Sequence, residues 1–236
     1  MNSNIIDFKN NLSVIILCGG KGERLRPLTK NTPKPLIKIG SRTILEYIIE
    51  YLINNKIYNI YIATGYKHKL INEFLKKKYK KKNYIKVINT GLNSDILTRI
   101  KKTIKYTKDN ILICYGDTLA NVRINKLIRS FKLNKNKTLI TSFRLNTQFG
   151  ILDFNLNNTV FSFKEKPKLN LWFNIGYILT SKNKLSRYKK NNGFKNFIIN
   201  EVKKKNLINF KHSGKHITVN TISELENAKK QIKNFS

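Results

Sequence analysis

Ser13-Val-Ile-Ile-Leu-Cys18 runs directly into Gly19-Gly-Lys-Gly-Glu-Arg-Leu-Arg-Pro27. A short, continuously apolar and β-branched run stopped by paired glycines is the pattern of a strand buried on both faces of a parallel sheet. We expect it to be the first, central strand. The glycines at 19, 20 and 22 permit positive φ and let backbone N–H groups approach an anion, while Lys21 and Arg24 add positive charge. The loop is suited to phosphate. It lacks the Gly-Lys-Ser/Thr of a Walker A loop and the GxGxxG dinucleotide pattern.

Outward from this strand, a loop holding Pro27, Pro33 and Pro35 precedes Ile44, Tyr47, Ile48, Tyr51 and Leu52, which recur at helical spacing. Thr43 and Glu46 supply a capping box at the start of that helix. Strands are then predicted at 57–64, 84–89 and 111–115, and helices at 67–79, 96–106 and 122–133. Strands separated by helices at this pace imply an α/β fold with a mostly parallel sheet and right-handed crossovers. Beyond residue 137 strand-like runs follow at 138–145, 150–154, 160–164 and 172–179, so a mixed or antiparallel extension of the same sheet is expected. Helices near 183–188 and 194–203, two short strands, and a terminal helix from about Ser223 complete the reading. Thr221 and Glu224 form a second predicted capping box. No linker or repeat divides the chain, so one domain over 1–236 is expected.

The composition is compatible with this. Of 236 residues, 40% are hydrophobic and only 4 are proline, enough to bury a core and to exclude a disordered chain. Lys and Arg number 47 against 13 Asp and Glu, a formal net charge of +34. That charge attracts polyanions, but it is spread along the chain and speaks to partners rather than to fold. No run approaches the ~20 apolar residues that span a bilayer, and Met1 to Lys9 lacks a signal-peptide core, so a cytoplasmic protein without membrane insertion is expected. Cys18 and Cys114 each end an apolar run and read as buried, reduced thiols rather than metal ligands.

The stretch Gly19-Gly-Lys-Gly-Glu-Arg-Leu-Arg-Pro-Leu-Thr-Lys-Asn-Thr-Pro-Lys-Pro35 closely resembles the signature of sugar-1-phosphate nucleotidyltransferases. The resemblance continues through Gly65-Tyr66, Tyr115-Gly-Asp117, Phe149-Gly150, Phe163-Lys-Glu-Lys-Pro167 and Asn174-Ile-Gly176. Thr90-Gly91, Ser94, Arg99 and Gln148-Phe-Gly150 make it most similar to the glucose-1-phosphate cytidylyltransferase branch. It implies a Rossmann-like three-layer fold and a reaction in which a sugar 1-phosphate oxygen attacks the α-phosphorus of a nucleoside triphosphate, CTP being favoured, and releases pyrophosphate. A phosphate oxygen is already ionised at neutral pH, so no general base is needed. Positioning and charge neutralisation remain, which glycine amides, Arg, Lys and Mg²⁺ supply.

The resemblance also implies site residues. Leu17, Cys18, Gly19, Gly20 and Gly22 would cradle the nucleotide, with Thr90, Gly91, Ser94, Arg99 and Gly116 completing its pocket. Arg24 would stabilise developing charge and Lys34, stiffened by Pro33 and Pro35, would touch the α-phosphate. Asp117 would be a Mg²⁺ ligand at the carboxyl edge of the sheet, where α/β folds bind ligands. Gly150, Glu165, Lys166 and Asn174 would hold the sugar phosphate. Relatives in this family often form homo-oligomers.

Two positions depart from the family. Its second metal aspartate is matched by Asn220, and its Thr-Gly-Gly base-reading loop by Ile96-Leu97-Thr98 before Arg99. An amide oxygen can coordinate Mg²⁺ but removes one negative charge. A nucleotide- or sugar-phosphate-binding relative with impaired catalysis is therefore a second reading. A third, a basic nucleic-acid-binding module, rests on Lys76 to Lys82 with Tyr79 and Tyr84 interleaved, but no nucleic-acid-binding motif accompanies them.

Overall fold

The computed structural model describes residues 3–188 and 193–235. Its first half runs α1 (Ser3–Asn10), β1 (Leu12–Cys18), α2 (Leu28–Asn31), β2 (Lys38–Ile39), β3 (Arg42–Thr43), α3 (Ile44–Asn54), β4 (Ile60–Thr64), α4 (His68–Lys78), β5 (Ile85–Asn89), α5 (Ile96–Ile104), β6 (Asn110–Tyr115), β7 (Thr118–Ala120) and α6 (Ile124–Leu133). Its second half runs β8 (Thr138–Asn146), β9 (Ile151–Phe154), β10 (Val160–Lys164), β11 (Lys168–Ser181), α7 (Lys182–Arg187), α8 (Gly193–Lys203), β12 (Leu207–His212), β13 (His216–Thr218) and α9 (Ile222–Gln231).

Seven strands form one sheet in the order β12-β8-β11-β6-β1-β4-β5. Strands β6, β1, β4 and β5 are mutually parallel, and β11 runs antiparallel to both β6 and β8. The apolar run at β1 is thus fifth in the row rather than central, flanked on both sides as its composition requires. Its residues alternate between two cores. Val14 and Ile16 pack with the apolar faces of α3, α4, α6 and α9, whereas Ile15 joins α5, α7 and α8 on the opposite face. That division makes the three layers.

Thr43 and Glu46 form the predicted capping box on α3, with Thr43 N–H donating to Glu46 Oε2 at 2.7 Å. At α9 only half of the predicted box forms. Thr221 Oγ1 accepts the Glu224 N–H at 3.2 Å, but the Glu224 carboxylate accepts from Asn220 N–H at 2.7 Å, one residue earlier than a capping box requires.

The expected sheet extension is also corrected in part. Strands β8, β11 and β12 join the main sheet, while β9 and β10 pair only with each other as a separate hairpin. The reason is that both edges of β8 are already occupied, by β11 and β12. Helix α1 and strand β7 were not foreseen. Helix α1 is held by Phe8 edge-on to Phe131 of α6 at 5.8 Å. Met1 and Asn2 of the polar N-terminal stretch lie outside the described residues. Among the described residues no helix is long and apolar enough to cross a membrane.

Candidate active site

The carboxyl ends of β1 and β6 open on a cavity of about 660 Å³ lined by the 17–24 loop, Lys34, Pro35, the 94–96 segment, Arg99, Tyr115 to Asp117 and Asn220. The loop is shaped from its own residues. Gly22 adopts φ 66°, and its carbonyl accepts from the Thr29 hydroxyl at 2.9 Å and from Leu25 N–H at 3.0 Å. The N–H groups of Gly20, Lys21 and Gly22 find no acceptor among the described residues. Amide donors turned toward a cavity beside Lys21 and Arg24 suit a phosphate. Gly116 is required by close approach: a Cβ there would stand 2.6 Å from the Leu17 carbonyl oxygen.

Across the cavity, the unforeseen strand β7 pairs antiparallel with β13, Thr118 opposite Thr218. Asp117 precedes β7 and Asn220 follows β13, so this ladder brings them side by side although 103 residues separate them in sequence. Lys34, in the single turn after Pro33, closes the group: Nζ donates to Asp117 Oδ2 at 2.6 Å and to Asn220 Oδ1 at 2.9 Å. Arg24 Nη2 reaches the same Asn220 oxygen at 3.3 Å. The Lys34 side chain is 11% exposed and that of Asp117 34%. The three predicted catalytic residues and Asn220 therefore converge.

An ammonium between two hard oxygen donors marks a place where positive charge is stabilised. The donor chemistry fits Mg²⁺, which is commonly held by one or two carboxylates with its remaining ligands drawn from substrate phosphates and water. Asp117 and Asn220 are the residues that would hold it, and when bound it would supply charge neutralisation on the phosphoryl oxygens. Among the described residues no group of three or more His, Cys, Asp or Glu converges for a metal ion.

The residues expected to complete a nucleotide pocket make their contacts within the protein. Arg99 lines the cavity, but Nη1 donates to the Thr64 carbonyl at 3.2 Å, Thr90 Oγ1 at 2.8 Å and the Gly91 carbonyl at 3.0 Å, and Nη2 to the Leu92 carbonyl at 3.1 Å. Its guanidinium lies against Gly19 and Gly65, where a Cβ would overlap it. Arg99 braces the floor under the glycine-rich loop. Thr90, fully buried, and Gly91 serve this brace and do not line the cavity. Ser94 does line it, with its hydroxyl donating to the Thr90 carbonyl.

Gly150, Glu165, Lys166 and Asn174 also stand outside the cavity. A Cβ on Gly150 would lie 2.5 Å from the Phe163 ring, so this glycine makes room for an aromatic side chain. Glu165 and Lys166 pair with each other at 3.6 Å on the surface. Asn174 is one step removed: Nδ2 donates to the hydroxyl of Tyr115, a cavity residue, at 3.4 Å. Tyr115, part of the Tyr115-Gly-Asp117 motif but given no role there, lines the cavity with its phenol pushed up by burial, and so does Asp95, which the sequence did not single out. Cys18 and Cys114 are buried and free, their thiols pushed far up by desolvation, as expected of structural thiols. In the basic segment, Tyr79 is buried and donates to Glu50 at 3.1 Å, so it offers no face for stacking a base.

Residues 13–225 match the family described as Nucleotidyl transferase. The chain belongs to this family. It is 32% identical over 160 residues to D-glycero-alpha-D-manno-heptose 1-phosphate guanylyltransferase of Campylobacter jejuni, a match covering 66% of this chain and 69% of that one. It is 30% identical over 180 residues to glucose-1-phosphate cytidylyltransferase of Salmonella typhimurium, covering 66% and 70%. The structure resembles that of a putative glucose-1-phosphate thymidylyltransferase from Bacillus anthracis with a TM-score of 0.74 at 20% identity, covering 94% of this chain and 96% of that one. At that identity the likeness speaks for the fold. The resemblance drawn from the glycine-rich signature is borne out, and the nucleotidyl transferase fold is the scaffold of the cavity.

Proposed function

We propose that this protein transfers a nucleotidyl group from a nucleoside triphosphate to a sugar 1-phosphate, releasing pyrophosphate. The observation that carries the reading is the convergence of Lys34, Asp117, Asn220 and Arg24 beside the free amides of the glycine-rich loop. The loop amides and Arg24 bind the triphosphate, and Lys34 orients the α-phosphoryl group. The incoming sugar phosphate oxygen forms a bond to the α-phosphorus as the bond to the pyrophosphate oxygen breaks, so charge moves onto the leaving group near Arg24. Preorganised donors of this kind lower the barrier without reorganising during the reaction.

CTP is the nucleotide we favour, on the similarity to the Salmonella enzyme. Similarity to the Campylobacter guanylyltransferase makes GTP the competitor. Such chemistry belongs in the cytoplasm, and the surface basic charge carries no specific nucleic-acid role in this reading. Asn220, in the place of a carboxylate, favours the second reading of an impaired relative. Pyrophosphate release with CTP, GTP, UTP, ATP and dTTP against a panel of sugar 1-phosphates tests the proposal. Release that needs both substrates supports it; silence from folded protein that binds a nucleotide supports the impaired relative.

A further inference from the structure

The order of the parallel strands separates the two ends of the cavity. Asp117 follows β6 on one side of β1, and the 94–96 segment, which leads from β5 into α5, stands on the other, where Arg99 of α5 reaches Gly19 and Gly65 at the ends of β1 and β4. A nucleoside monophosphate laid across the sheet edge would point its phosphate toward Asp117 and its base toward residues 94–96.

At this far end the polar groups are few. Arg99 commits its guanidinium to the carbonyls of Thr64, Gly91 and Leu92 and to Thr90 Oγ1. The Ser94 hydroxyl is turned to the Thr90 carbonyl. Ile96 offers only an apolar, partly exposed side chain. Asp95 remains: it is exposed, lines the cavity, and is fixed as the N-cap of α5, where Oδ1 accepts the Thr98 N–H at 2.8 Å. An ionised carboxylate has about four acceptor positions, so the cap leaves it room to accept from a ligand. Its hydrogen bonds to Thr98 hold the carboxyl below its ordinary range, which keeps it an acceptor at neutral pH.

We propose that Asp95 selects the base by accepting from an amino group on its Watson–Crick edge, favouring cytosine, guanine or adenine over uracil and thymine. A carboxylate accepts from cytosine N4 or guanine N2 and N1, whereas the single N–H of uracil or thymine is flanked by two carbonyl oxygens that repel it. This rests on the nucleotidyl-transfer reading of the cavity. A specific base contact of this kind is worth about 1–3 kcal/mol, a preference of roughly 5- to 150-fold.

The test is calorimetric titration of the full chain with CTP, GTP, UTP and dTTP in Mg²⁺, for the wild type and for Asp95→Asn and Asp95→Ser. Both replacements remain good N-caps, so α5 is preserved, and an unchanged melting temperature verifies it. We expect the wild type to bind CTP or GTP at least about 5-fold more tightly than UTP and dTTP, and both variants to bring the ratio to near unity. Equal binding of all four by the wild type, or an undiminished preference in the variants, overturns the role of Asp95. Failure to bind any of the four overturns instead the nucleotidyl-transfer reading beneath it.

Discussion

Lys34 Nζ lies 2.6 Å from Asp117 Oδ2, joining a proline-braced turn to the carboxyl edge of the sheet across 83 residues of sequence. A pair this short in a cavity wall holds two opposite charges ready beside the place where a phosphoryl group would sit. Replacing Lys34 by Met keeps the stem and removes the charge. We expect kcat for pyrophosphate release to fall about 10²- to 10³-fold with little change in melting temperature. A loss confined to KM would assign Lys34 to binding alone.

Asn220 shares its oxygen between Lys34 and Arg24, and its backbone N–H is held by Glu224. Asn220→Asp adds a carboxylate where two cations already point, so the Mg²⁺ concentration for half-maximal activity should drop, by about 10-fold if the gain is ~1.4 kcal/mol. Metal titrations of wild type and variant measure this. Abolished turnover in Asn220→Asp would contradict the metal argument.

The brace under the glycine-rich loop is testable through Gly65. A Cβ there would overlap the Arg99 guanidinium and stand 2.8 Å from the Gly91 carbonyl oxygen. Gly65→Ala should therefore destabilise by about 1–3 kcal/mol and weaken triphosphate binding, both of which follow from displacing Arg99. Urea unfolding and nucleotide titration check the pair of effects, and an unperturbed protein would mean that Arg99 has another resting place.

His216 predicts an acid-sensitive stability. Its ring lies against Phe143 at 5.0 Å and Phe173 at 5.4 Å, Nε2 is buried without a partner among the described residues, and desolvation pushes its pKa from 6.5 to about 4. The folded state thus holds His216 neutral, so its contribution is present above about pH 6.5 and is lost as pH falls toward 4. The full effect is on the order of 3 kcal/mol. His216→Phe should shrink the fall in melting temperature between about pH 7 and pH 5. An identical fall in the variant would locate the acid sensitivity elsewhere, His212 being the neighbour whose pKa burial also lowers.

The sequence was most legible where local periodicity and tertiary burial agree. The apolar run at β1, the capping box at Thr43 and the glycine-rich loop all stand where their residue types put them, because each is decided within a few neighbouring residues. Asp117 beside Asn220 was legible only through resemblance, since the β7–β13 ladder that joins them is three residues long and carries no periodic signal. The resting contacts of Arg99 were illegible for a different reason. Its type suggests a ligand contact, yet four carbonyl and hydroxyl oxygens from separate turns converge on it, and only the fold assembles them. The β9–β10 hairpin reads as sheet because alternation identifies a strand but not its partner.

In the proposed reaction the α-phosphorus passes to a sugar phosphate within the Lys34, Asp117 and Asn220 group. CTP radiolabelled at the α-phosphorus, incubated with Mg²⁺ and hexose 1-phosphates, tests it most directly. We predict that the label passes into a sugar nucleotide only when the sugar phosphate is present, and that the unlabelled β- and γ-phosphates leave together as pyrophosphate. Label that remains in CTP bound to folded protein, or appears only in CMP, would contradict the account.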